Sequence, residues 1–205
     1  MRQRGSLLLD VGVDGLSVLT ASAARIVLAK PAGSGAPNVA WLAFEPQHRL
    51  TIEWDDLYGV FASESGVRAG SRIEVASCIY PAEARRIYSF DGLRFAEGRP
   101  DGRVPVGHYD VWNAGPSPAT FGLLQHARID GALVPAPLNA IVLATDLTAD
   151  FSPDERIYLW TQRGTATGDV IDGVPADAAV AIFDRKERVR SYRFDLRSLR
   201  FISST

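Results

Sequence analysis

The side chains best suited to acid–base chemistry are His108, Tyr109 and Asp110, which follow Gly107 and precede Trp112. On an extended strand His108, Asp110 and Trp112 share one face, because side chains alternate with a period of two. An imidazole beside a carboxylate titrates near neutral pH and can take or give a proton. The competing reading is a strand with a polar face and no chemistry.

Aromatic residues beside polar ones suggest a different use. Trp54 is followed by Asp55 and Asp56, with Tyr58 close behind, and Trp112 lies between Asp110 and Asn113. An indole face with adjacent carboxylates or amides can grip a sugar ring, its apolar side on the ring and its hydroxyls on the polar groups. The ligand-binding candidates are therefore Trp54, Asp55, Tyr58, Trp112, Asn113 and Trp160. The alternative is that each Trp fills the core. Carboxylates also gather at Asp146, Asp150 and Asp154, in a segment rich in turn residues. Calcium takes six to eight oxygens from such loops, but EF-hand spacing is missing, so these three are weak calcium candidates and solvated turns are the simpler account.

No phosphate-binding glycine loop, nucleophile elbow, zinc-protease helix or cysteine pair is present. No cofactor is expected. Seven basic residues (Arg185, Lys186, Arg188, Arg190, Arg193, Arg197 and Arg200) are interleaved with Asp184, Glu187 and Asp195 in a chain of net charge −2. That pattern argues against nucleic acid and for a basic face on an edge strand. The basic residues are 20 Arg and 2 Lys. Arg suits fixed ion pairs, although genomic base composition explains the same skew. Cys78 sits in an apolar run and reads as a small buried hydrophobe.

The elements that would position these groups are short. Gly, Pro and Asp clusters recur about every ten residues between runs rich in Val, Ile, Leu and aromatics. Strands are expected at 7–12, 24–30, 38–44, 50–54, 57–63, 72–80, 86–90, 108–113, 120–129, 139–145, 156–162, 177–183 and 188–196, with no convincing helical stripe. Leu50, Ile52 and Trp54 should face inward; Thr51 and Glu53 outward. Residues 139–144 are apolar on both faces, which predicts a covered strand. Ser198 marks an expected bulge, and residues 31–37 and 96–107 read as loops.

Landmarks recur at an offset near one hundred residues: Ala24-Arg25-Ile26 with Ala127-Arg128-Ile129, and Asn38 with Asn139. The fold class that follows is all-β, an antiparallel sandwich or barrel-like body of two pseudo-repeated halves, 1–100 and 101–205. Arg2, Arg4 and Leu7-Leu8-Leu9 imitate a signal peptide, but Asp10 and Asp14 interrupt its apolar region. No stretch is long and apolar enough for a membrane helix. The expected compartment is the cytoplasm.

The favoured function is a non-enzymatic β-sandwich binding module, lectin-like, acting on a glycan or small molecule. The alternatives are a cofactor-independent cyclase, isomerase or hydrolase using His108, Tyr109 and Asp110 on a small apolar substrate, and a structural, self-assembling subunit. Partners left open are a small molecule, a glycan, a protein, or further copies of this chain.

Overall fold

A computed structural model describes residues 4–184 and 186–204. Arg2 and Arg185 lie outside the described residues. The protein is mostly β, as its turn punctuation predicts, and the strands form three sheets. The largest runs β17 (Arg200–Ser203), β16 (Val189–Asp195), β1 (Arg4–Asp10), β4 (Arg49–Asp55), β10 (Ala119–Ile129), β5 (Gly59–Ser63) and β6 (Ser77–Ile79). Both β11 (Ala132–Pro137) and β12 (Ile141–Leu143) also pair with β10. A second sheet orders β13 (Thr148–Phe151), β9 (Tyr109–Asn113), β7 (Arg86–Phe90) and β8 (Arg99–Pro100). The third orders β15 (Ala179–Ile182), β14 (Arg156–Arg163), β2 (Ala24–Ala29) and β3 (Leu42–Phe44).

Each sheet draws strands from both 1–100 and 101–205. The pairing is not purely antiparallel: β1 runs parallel to β16, and β7 parallel to β9. Among the described residues no sheet closes into a barrel.

Each expected strand interval contains a strand, while β8, β11, β13 and β17 were not foreseen. Alternation works as argued in β4, where Leu50, Ile52 and Trp54 are buried. Residues 6–20 read from sequence as strands, with no helical stripe, but Gly12–Ala21 form helix α1. Its buried positions Gly15 and Leu19, with the N-cap Val11, follow a helical period, but one of them is a glycine. A Cβ on Gly15 would sit 3.0 Å from the Phe194 ring, so close packing on β16, not hydrophobicity, accounts for that residue.

Other corrections share one cause: an apolar run does not reveal its neighbours. Cys78 is exposed, because β6 is an edge strand that, among the described residues, pairs with β5 alone. Ile141 and Val142 of β12 are exposed rather than covered. The basic strand β16 is flanked on both sides, and the sheet edge is β17. Ser198 forms no bulge; its N–H and hydroxyl both donate to Asp195 Oδ2 in the turn that leads into β17.

Strand β2 is covered on both faces. Ile26 and Leu28 enter the main core, and Val27 and Ala29 pack with Ala40, Ala43, Trp160 and Ile171 in a smaller one. Among the described residues no helix is long and apolar enough to cross a membrane.

Candidate functional site

Trp54 ends the inward face of β4, opposite Gly5 on one side and Ala127 on the other. A Cβ on Gly5 would come within 2.4 Å of the indole, so only glycine lets the ring lie flat over β1. Phe183 and Trp41 abut the same indole edge-on, at centroid separations of 4.9 and 5.6 Å.

Beside this fixed ring opens a cleft of about 210 Å³. Arg4, Glu53, Asp55 and Arg128 supply its charge; Trp54, Leu57, Tyr80, His126 and Leu133 complete its walls. Tyr80 stacks on His126 at 3.7 Å. Burial holds the His126 imidazole below its ordinary value, so near pH 7 it is neutral and offers one donor and one acceptor. Arg4 approaches Glu53 at 3.5 Å and Asp55 at 3.9 Å, but these groups are well solvated and contribute little stability. Among the described residues Arg128 makes no ion pair, although it stands opposite Glu53 in the ladder. The cleft therefore combines an aromatic wall, a neutral imidazole, carboxylates and a guanidinium that, among the described residues, no carboxylate holds.

Of the sequence-derived ligand candidates, Trp54 and Asp55 line this cleft. Tyr58 lies behind it, buried. The structure does not bring Trp112, Asn113 or Trp160 there. Asn113 is wholly buried and acts as a latch: its Nδ2 donates to the Ser117 and Leu143 carbonyls, and its Oδ1 accepts from Gly115 N–H. Trp160 belongs to the smaller core and donates to Gln162 Oε1 at 2.8 Å.

The proposed acid–base residues split across β9. Tyr109 points inward, tilted against Tyr58 at 6.2 Å, and burial pushes its phenol up to about 12. His108 and Asp110 face the other way, as alternation requires. His108 Nδ1 meets the Asp150 carboxylate at 2.8 and 2.9 Å, an oriented pair that joins a calcium candidate to a catalytic one. Asp110 stands opposite Asp150 in the ladder. Burial, then the Asp150 charge and a shared hydrogen bond, raise the Asp110 carboxyl above its ordinary range. Replacing Asp150 with Asn should therefore lower the Asp110 pKa while leaving the contribution of burial. Carboxyl carbon NMR titration reads this directly, and an unchanged Asp110 midpoint would refute the coupling between the two carboxylates.

Asp154 is held by Arg156 at 2.5 Å, and among the described residues no three His, Cys, Asp or Glu converge as a metal-ligand set. Asp146, Asp150 and Asp154 are thus not assembled into one calcium site.

Sequence reasoning missed Lys30. It follows β2 and shares parity with Ile26 and Leu28, which carries it into the main core at 1% exposure. Its Nζ donates to Tyr58 Oη and Gln125 Oε1, each at 3.1 Å. The rings of Tyr58, Trp41 and Trp54 surround it with centroids at 5.2, 5.8 and 5.9 Å. Burial pulls the amine down to about 8, against the opposing charges of Glu155 and Asp56. Those two carboxylates pair instead with Arg188, at 3.2 and 2.5 Å. The available signal was one of only two lysines in a chain with twenty arginines, at an inward position following an apolar strand.

No protein-family model, curated protein or solved structure matches the chain.

Proposed function

We propose that the protein is a non-enzymatic β-sandwich binding module that takes a single saccharide-type ring in the cleft at Trp54 and Asp55. The observation that carries this reading is the meeting of the Tyr80–His126 wall with Asp55 and the unpaired Arg128 around one small opening. Hydroxyls need donors and acceptors side by side, and a neutral imidazole, a carboxylate and a guanidinium supply both. The volume is below the usual range for drug-sized ligands, which favours one ring over an extended chain.

Isothermal titration calorimetry with neutral and acidic monosaccharides should give a dissociation constant on the order of 1 mM. Asp55→Ala and Arg128→Ala should each weaken binding about tenfold, or about 1.4 kcal/mol. Both side chains sit at the rim, so stability should stay within about 0.5 kcal/mol of the parent. Absence of heat with every sugar, or binding that survives both substitutions, would remove this reading.

A second reading, a cofactor-independent enzyme, draws on the His108–Asp150 pair and the protonatable Asp110. These groups lie on a sheet face turned away from Tyr109, so the three-residue constellation anticipated from sequence would act with Asp150 in the place of Tyr109.

A further inference from the structure

We propose that the side chains of Lys30 and Gln125 condense to an isopeptide bond, a covalent link between the end of β2 and the middle of β10. The inference is independent of the cleft and its ligand.

Two groups that can react are held together and away from water. Lys30 is 1% exposed and Gln125 is 0% exposed. Nζ stands 3.1 Å from the carboxamide oxygen, so the carbon bearing that oxygen lies within reach. The carboxamide is held in place. Its Nε2 donates to the Asp55 carbonyl at 2.9 Å, and the Gln125 backbone carbonyl accepts from Trp41 Nε1 at 3.1 Å. Groups fixed at contact distance gain an effective concentration far above any reached in solution.

Burial raises the share of the neutral, nucleophilic amine far above that of a solvated lysine. An ammonium has three N–H donors, and here two oxygens receive them; a neutral amine has two donors and a lone pair. Among the described residues no carboxylate pairs with Lys30, since Asp56 and Glu155 are taken by Arg188. The ring faces of Trp41, Trp54 and Tyr58 attract the ammonium, but burial outweighs them, and an amide in its place is uncharged. Arginine could not react, because its guanidinium stays protonated. Lys30 is one of two lysines beside twenty arginines.

The step balances without a cofactor or oxidant. The Nζ lone pair forms a bond to Cδ of Gln125, and the carbonyl electron pair moves onto Oε1. When the carbonyl re-forms, the Cδ–Nε2 bond breaks and its electron pair leaves with Nε2. One proton shed by Nζ ends on Nε2, which departs as ammonia. Tyr58 can carry that proton: its hydroxyl lies 3.1 Å from Nζ, which itself stands 3.1 Å from Gln125 Oε1, and burial keeps the phenol protonated.

Intact-mass spectrometry of the purified full chain tests the proposal. The expected mass is the sequence mass less one ammonia, with tandem spectra joining the peptide bearing Lys30 to that bearing Gln125. Lys30→Met should carry its full mass, and Gln125→Glu should lose water instead of ammonia. In freshly synthesised chain the loss should run about tenfold faster per pH unit up to about pH 7 and level off above about pH 8, while deprotonation of the amine limits it. The wild-type measurement decides even if a variant fails to fold. Full sequence mass in the wild type, or an ammonia loss mapped elsewhere, overturns the proposal.

Discussion

Trp41→Ala is expected to lower stability by about 4 kcal/mol, the middle of the range for removing a buried large aromatic. For a chain of this length that corresponds to a fall in Tm of about 8–16 °C. Trp41 is fully buried, meets Trp54 edge-on at 5.6 Å and forms one wall around Lys30. Its indole N–H donates to the Gln125 carbonyl. The alanine variant therefore loses packing, leaves a cavity, and strips a buried acceptor of its donor. Trp41→Phe keeps much of the volume and loses the N–H, so it should cost less, about 1–3 kcal/mol. Denaturant unfolding of both variants measures the difference. A loss below about 1.5 kcal/mol for the alanine variant would mean that the box relaxes to fill the space, unlike a close-packed interior.

Gly122→Ala should be nearly as damaging, at about 3 kcal/mol or more, because the added methyl meets backbone rather than a movable side chain. Its Cβ would lie 2.1 Å from the Asn139 carbonyl oxygen and 2.8 Å from the Phe61 ring. The 138–140 segment cannot easily retreat. Leu138 N–H donates to the Leu123 carbonyl at 2.8 Å, and Asn139 Oδ1 accepts from Leu123 N–H at 2.9 Å. Asn38 holds Ala140 from the other side, donating to its carbonyl at 2.7 Å and accepting from its N–H at 3.1 Å. Gly66→Ala, where no atom lies within 4 Å of the built Cβ, is the matched control and should change stability by no more than about 0.5 kcal/mol. Equal unfolding midpoints for the two variants would show that the crossing at Gly122 is looser than its geometry indicates.

The clamps just described involve the two asparagines that suggested a duplicated sequence. Asn38 grips the segment of Asn139, and Asn139 grips Leu123 while donating to the Ala32 carbonyl at 3.4 Å. Their matching positions serve contacts across the molecule, whatever the origin of the pattern. Asn113 teaches a related lesson. Its place beside Trp112 and Asp110 resembles a ligand contact, but its three hydrogen bonds tie neighbouring loops together. A polar side chain near an aromatic one can look the same in sequence whether it faces a ligand or a turn.

What the sequence determined by itself was local. The alternation in Leu50-Thr51-Ile52-Glu53-Trp54 set which side chains share a face, because successive Cβ atoms on a strand must point to opposite sides. The same rule placed His108 with Asp110 and would have placed Lys30 with Ile26 and Leu28. Tertiary structure alone decided which faces meet. It brought Asp150 to His108, stacked Tyr80 on His126, and joined Lys30, Tyr58 and Gln125 from three distant segments. It also set β1 parallel to β16 and left β6 and β17 as edges. The physical reason is that burial of apolar surface is non-directional and names no partner. Partners are selected only when every strand's hydrogen bonds and every close approach, such as Gly5 under Trp54 and Gly122 under Asn139, are satisfied together.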